Sequence, residues 1–206
     1  MATHRACLVV FARAPELGRV KSRLAADLGP ARALAIYREL TERVIDAVRE
    51  SADRVVVAYT PADAEPVMRG WLGDTLAYVP QCDGDLGERM ERTLASSLMD
   101  GAERVVIIGT DCPTISAGTV AAAFAALDDA DVVFGPALDG GYYLVGARDV
   151  HPALFRAVPW SSARTLQESL GRAHESGLRV ALLPPMQDID TAADWHAYSE
   201  GRPTSG

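Results

Sequence analysis

Lysine is almost missing from this chain: 19 of its 20 basic residues are arginine, and Lys21 is the sole lysine. Histidine is scarce and scattered. His4, His151, His174 and His196 form no H-x-x-x-H pair, which argues against zinc and against a histidine-based triad. The G-x-S-x-G nucleophile elbow is absent as well. Cys7, Cys82 and Cys112 are odd in number and lack metal-type spacing, so reduced thiols in a cytoplasmic protein are expected. No apolar run reaches the roughly 18–20 residues of a membrane span, and residues 6–12 are too short for a signal peptide. Positive charge is in deficit overall, at −8, which excludes a general nucleic-acid binder. Repeats, low-complexity tracts and linkers are also lacking.

What remains reads as one soluble domain spanning residues 1–206, with 202–206 as a frayed tail. Strands are expected at 6–12, 54–60, 75–80, 104–108, 131–136, 142–145 and 179–183. The run Arg-Val-Val-Val-Ala-Tyr-Thr at 54–60 is rich in β-branched residues, as befits a strand covered on both sides. Between them, helices are expected from near Val20, then at 31–51, 62–71, 86–99, 116–127, 163–175 and after Thr191. In 31–51, Leu34, Tyr37, Leu40, Val44 and Val48 recur at three- and four-residue steps. This alternation predicts an α/β fold, a mostly parallel sheet with helices on both faces. Ligands in such folds bind outside the carboxyl ends of the strands.

The polar motifs fall at those ends. Arg13, Arg19, Lys21 and Arg23 crowd the loop after the first strand, where a glycine (Gly18) and a helix N-terminus would suit a phosphate. A compact ammonium serves as a point charge in a way guanidinium cannot, which gives Lys21 a reason to have been kept. The loop is not a Walker A motif, since two residues separate Gly18 from Lys21. Asp111 directly follows the apolar strand 104–108 and could present its carboxylate to a hard cation. Asp188 and Asp190, two apart, would share a face of an extended segment and could meet one ion. Either Asp190 or Thr191 could instead cap the last helix. Asp139-Gly140-Gly141 joins two strands, either as an ordinary hairpin turn or as a close approach to a ligand. Gly87 opens a helix whose free N–H groups could receive a base or ribose, and Trp160 could line a pocket or the core.

Taken together and in order, Phe11-Ala12-Arg13-Ala14-Pro15, Gly18 to Leu24, Gly109-Thr110-Asp111-Cys112-Pro113, Asp139 to Leu144 and Asp188-Ile189-Asp190-Thr191 resemble the bacterial DUF2064 family. These are glycosyltransferase-A-like proteins, some named as arsenosugar-biosynthesis glycosyltransferases. More distantly the chain resembles phospholactate guanylyltransferase-like nucleotidyltransferases. The resemblance implies a Rossmann-like three-layer α/β/α domain with a mixed sheet of seven strands, the nucleotide-diphospho-sugar transferase fold. It implies nucleotide binding by Ala12, Arg13, Gly18, Arg19, Lys21, Arg23, Gly87 and Thr110, and a divalent ion (Mg²⁺ or Mn²⁺) on Asp111 with Asp188 or Asp190. Gly140, Gly141, Tyr142 and Trp160 would face the sugar or acceptor, and Asp139 would join Lys21 and Asp111 as catalytic. The glycosyltransferase Asp-X-Asp after the central strand is absent, because Thr110-Asp111-Cys112 offers one carboxylate.

The expected activity is therefore metal-dependent glycosyl transfer from a nucleotide sugar to a small acceptor. The alternatives are nucleotidyl transfer from an NTP to a phosphorylated acceptor with release of pyrophosphate, and a non-catalytic nucleotide-binding module. A homodimer is compatible with all three.

Overall fold

The strands are β1 (Ala6–Arg13), β2 (Arg54–Thr60), β3 (Ala77–Pro80), β4 (Arg104–Ile108), β5 (Val132–Pro136), β6 (Tyr142–Ala147) and β7 (Val180–Leu182). In β1, Leu8, Val10 and Ala12 enter one core while Cys7 and Val9 enter another, as the two-residue period of a strand requires. The computed structural model describes residues 6–201 and pairs these strands in the order β3-β2-β1-β4-β6-β5-β7. Pairing is parallel except at β6, which runs antiparallel to both β4 and β5. The expected mixed, mostly parallel sheet is the observed one.

The helices are α1 (Ser22–Leu28), α2 (Pro30–Val48), α3 (Glu65–Leu72), α4 (Leu86–Met99), α5 (Ala117–Ala126), α6 (Thr165–Glu175) and α7 (Ala192–Glu200). One face of the sheet is covered by α2, α3 and α5 through Val44, Val48, Met68 and Val120. The other is covered by α4 and α6, with Leu94 and Ala173 joined by Leu154 and Phe155. A third core ties α1, α2 and α7 together around Leu24, Leu40, Ile189 and Trp195. Among the described residues, no helix is long and apolar enough to cross a membrane.

Element boundaries differ from expectation where local chemistry dictates. The first helix starts at Ser22 rather than near Val20, because Lys21 is left-handed (φ 48°, ψ 54°) and cannot continue it. In α3 the start is delayed to Glu65, with proline in the first turn. Expected caps do form at Ser116 and Thr191, each in a reciprocal capping box. The predicted tail at 202–206 and His4 lie outside the described residues.

The turn between β5 and β6 hinges on close packing. A Cβ at Gly135 would lie 2.4 Å from the ring of Tyr143, and one at Gly140 would lie 2.2 Å from the carbonyl of Ala163. Gly140 also stands at φ +92°, so glycine is required there twice over. Replacing Gly135 by alanine should push the buried Tyr143 ring aside and lower stability by about 1–3 kcal/mol, as overpacking does. Urea unfolding checks this: the midpoint should fall with the slope unchanged.

Candidate active site

The carboxyl ends of β1, β2, β3 and β4 open on one edge of the sheet, and the hairpin between β5 and β6 brings residues 137–141 to the same edge. The segment 187–190 crosses beside them. It is pinned there by the Ile189 N–H, which donates to the Asp111 carbonyl at 2.8 Å.

Lys21 completes that junction. Its ammonium contacts Asp111 Oδ1 at 2.7 Å and donates to the Ile189 carbonyl. The lysine side chain is only 4% exposed, whereas that of Asp111 is 54% exposed. Lys21 thus joins the loop after β1, the loop after β4 and the segment before α7, at the cost of a left-handed backbone. Arg23 makes a parallel contact, Nη1 to Asp190 Oδ2 at 2.7 Å. The end of β1 is fixed by Tyr37, whose hydroxyl accepts from the Arg13 N–H at 2.7 Å and donates to the Arg13 carbonyl at 2.8 Å. Burial is the main reason its phenol is pushed up to about 12.

Two cavities adjoin here. The larger, about 360 Å³, runs from the end of β1 (Phe11, Ala12, Arg13) past Gln81 and Arg89 to Thr110 and Asp111. The smaller, about 240 Å³, lies between the hairpin (Asp139, Gly141) and the loop Trp160-Ser161-Ser162, with Asp188 at one side. Leu86, Gly109, Asp111, Tyr142 and Tyr143 line both. Asp111 therefore stands at their seam.

Asp111, Asp139 and Asp188 all border the smaller cavity. Partial burial, followed by the charges of Asp139, Asp111 and Asp190, raises the Asp188 carboxyl above its usual range. Burial, followed by the charges of Asp188, Asp111 and Asp139, also pushes up the Cys112 thiol. As the side chains stand, no group of three or more His, Cys, Asp or Glu among the described residues is drawn together around an ion position. The donor chemistry nevertheless suits Mg²⁺ or Mn²⁺, since these are hard carboxylate oxygens repelling one another. Asp111 and Asp188, with Asp139 beside them, are the residues that would hold such an ion.

Of the residues singled out in the sequence, Ala12, Arg13 and Thr110 line the larger cavity. Gly141 and Trp160 line the smaller, and Tyr142 lines both. Arg13 and Arg19 border a separate depression with Glu16, where Arg13 Nη1 donates to the Arg19 carbonyl at 3.0 Å. Gly18, Lys21 and Arg23 line neither main cavity. Asp190 does not either, since its carboxylate is turned to Arg23 and its neighbour Ile189 is buried. Gly87 serves packing: a Cβ there would lie 2.0 Å from the Phe155 carbonyl and 2.6 Å from the Trp160 ring. Gly140 packs likewise against Ala163.

The sequence reading missed Gln81, Arg89, Ser161 and Ser162. Gln81 follows β3 directly, so the strand-end rule could have found it. Its amide nitrogen donates to the Ala58 carbonyl at 2.7 Å. Ser161 has a left-handed backbone (φ 58°), which no sequence pattern announced.

Replacing Lys21 by methionine should lower stability by about 1–2 kcal/mol, between an exposed and a buried ion pair because the Asp111 carboxylate is half exposed. Chemical denaturation of the variant measures the loss.

A model of the bacterial family DUF2064, described as uncharacterized protein conserved in bacteria, matches residues 44–162. No curated protein matches the chain. A proposed nucleotide-diphospho-sugar transferase from Desulfovibrio desulfuricans G20 is 31% identical, with a TM-score of 0.92 over 98% of this chain and 90% of its own. A nucleotidyl transferase from Methanothermobacter thermautotroptrophicus is 18% identical, with a TM-score of 0.64 over 95% of this chain and 96% of its own. Rv0371c of Mycobacterium tuberculosis H37Rv, solved with manganese, is 16% identical, with a TM-score of 0.56 over 97% of this chain and all of its own. These last two share the fold. The family match spans more than half of the chain and the Desulfovibrio likeness spans nearly all of it, so the protein belongs to the DUF2064 family and has the nucleotide-diphospho-sugar transferase fold.

Proposed function

We propose that this protein is a transferase that takes a nucleotide-diphosphate donor in the larger cavity and transfers a glycosyl group to a small acceptor in the smaller one. The observation that carries this reading is the seam: two cavities at the carboxyl edge of the sheet meet at one half-exposed carboxylate, Asp111. The Desulfovibrio relative, a proposed nucleotide-diphospho-sugar transferase, supports the choice of donor. The manganese bound by a protein of the same fold supports a divalent cation.

On this reading the chain's own residues divide the work. Arg13 and Arg89, both at the larger cavity, balance the charge of the nucleotide phosphates. Lys21 holds Asp111 and the 188–190 segment in fixed relation, so the carboxylates are positioned before any ligand arrives. Asp111 and Asp188 would hold Mg²⁺ or Mn²⁺, which when bound neutralises charge growing on the leaving diphosphate. Asp139 borders the smaller cavity and would take the acceptor proton. Its Oδ1 is kept in place by the Gly141 N–H at 2.8 Å. A cytoplasmic setting belongs to the same reading, with Cys7, Cys82 and Cys112 as free thiols.

Nucleotidyl transfer is the second reading, favoured by the fold shared with the Methanothermobacter nucleotidyl transferase. Product analysis separates the two. Incubation with nucleotide sugars, acceptors and Mg²⁺ or Mn²⁺ should release free nucleoside diphosphate, whereas pyrophosphate released from an NTP would reassign the reaction. Asp111→Asn should cut kcat by about 100-fold, or ~2.7 kcal/mol of transition-state stabilisation, while the fold persists. Nucleotide binding without turnover, undiminished in Asp111→Asn, would leave only a binding module.

A further inference from the structure

The charged groups in the walls of the smaller cavity are all of one sign. Three carboxylates, Asp111, Asp139 and Asp188, border it, and none of its lining residues is arginine, lysine or histidine. The nearest cation in contact with this set, Lys21, is already spent on Asp111 and the Ile189 carbonyl. Asp139 and Asp188 are left without a cationic partner among the described residues. A bound divalent ion would at most balance those two, and the arginines that would balance a donor diphosphate, Arg13 and Arg89, border the other cavity. Room for a further phosphate is absent electrostatically.

The hydrogen-bonding inventory points the same way. Ionised carboxylates only accept, and phosphate oxygens likewise accept, so the two have nothing to exchange. Hydroxyl groups donate, and match. Ser161 and Ser162 add side chains that both donate and accept. The apolar part of the wall is aromatic: Tyr142 and Trp160 meet edge to face with ring centroids 6.3 Å apart, a corner against which the C–H face of a ring can lie. At about 240 Å³ the space falls just below the ~300–1,000 Å³ of drug-sized pockets, on the scale of a single sugar ring.

We infer that the smaller cavity selects an uncharged, hydroxyl-rich ligand and rejects its phosphate ester. The inference rests on the transferase reading above for the identity of the neighbouring ligand, and it turns that reading away from phosphorylated acceptors.

The test pairs neutral probes with their own phosphates: D-glucose with glucose 6-phosphate, and glycerol with glycerol 3-phosphate. Saturation-transfer NMR on the full chain with Mg²⁺ should show the neutral member bound at least ~10-fold more tightly, as expected when like charges are placed together. Trp160→Ala should weaken the neutral probe. Asp139→Asn with Asp188→Asn should narrow the gap, and Ser161→Lys, a change on the loop that leaves the carboxylates in place, should raise phosphate-ester affinity by ~10-fold. Equal or tighter binding of the phosphate esters overturns the inference, and so does an absence of binding by every neutral probe. A parallel thermal shift with nucleotides keeps the two ideas apart. A nucleotide shift alongside an inverted probe preference sinks this inference alone. A neutral preference without any nucleotide shift sinks the transferase reading alone.

Discussion

One ammonium organises the functional edge of this protein. Lys21 reaches from the loop after β1 to the carboxylate after β4 and to the backbone before α7, three segments that no ladder of strand hydrogen bonds connects. A point charge with several donors can serve two oxygens at once, and a left-handed backbone at that residue aims it inward. Arg23 repeats the device two residues on, at the surface. Without this junction, among the described residues only the Ile189 N–H to the Asp111 carbonyl would tie Asp111 to the segment that carries Asp188, and the Asp111 carboxylate at the seam between the cavities would lose its ammonium partner.

Much of the architecture was legible because it rests on strong local patterns. The β-branched run at β2 and the apolar β4 could hardly be other than buried strands, and their bounds are those expected. The capping residues Ser116 and Thr191 announced the starts of α5 and α7 through side chains that bond their own backbone. The site was legible in part for a different reason: a parallel sheet delivers its strand ends and whatever follows them to one edge, and Arg13 ends β1 while Thr110 and Asp111 follow β4. What was not legible depends on tertiary placement. The insertion of β6 between β4 and β5 carries Tyr142 to Asp111, the loop before α6 brings Trp160 to the same cavity, and no spacing in the chain encodes those neighbour relations. Likewise, an i, i+2 pair of carboxylates suggested a shared face at Asp188 and Asp190, yet Arg23 draws one of them away. Lys21 stood out in the sequence as the sole lysine and was expected to meet a phosphate, whereas its partners in the fold are a carboxylate and a carbonyl.

The two cavities differ in charge although they share a wall. Arginines border the larger, and carboxylates alone among charged groups border the smaller. That asymmetry suits the proposed division between an anionic donor and an uncharged partner, with Asp111 between them. The glycines around it are structural in the strict sense. Gly87, Gly135 and Gly140 each allow a backbone or ring to approach where a methyl group would collide, and so hold Trp160, Tyr143 and the start of α6 against the site.

The most direct measurement is diffraction from crystals grown with Mn²⁺ and a nucleotide donor, using the anomalous signal of the metal. The account predicts one manganese peak within reach of Asp111 and Asp188, with the nucleotide in the larger cavity and its phosphates turned toward that peak. A nucleotide bound elsewhere, or a metal that avoids Asp111 while the nucleotide is in place, would contradict it.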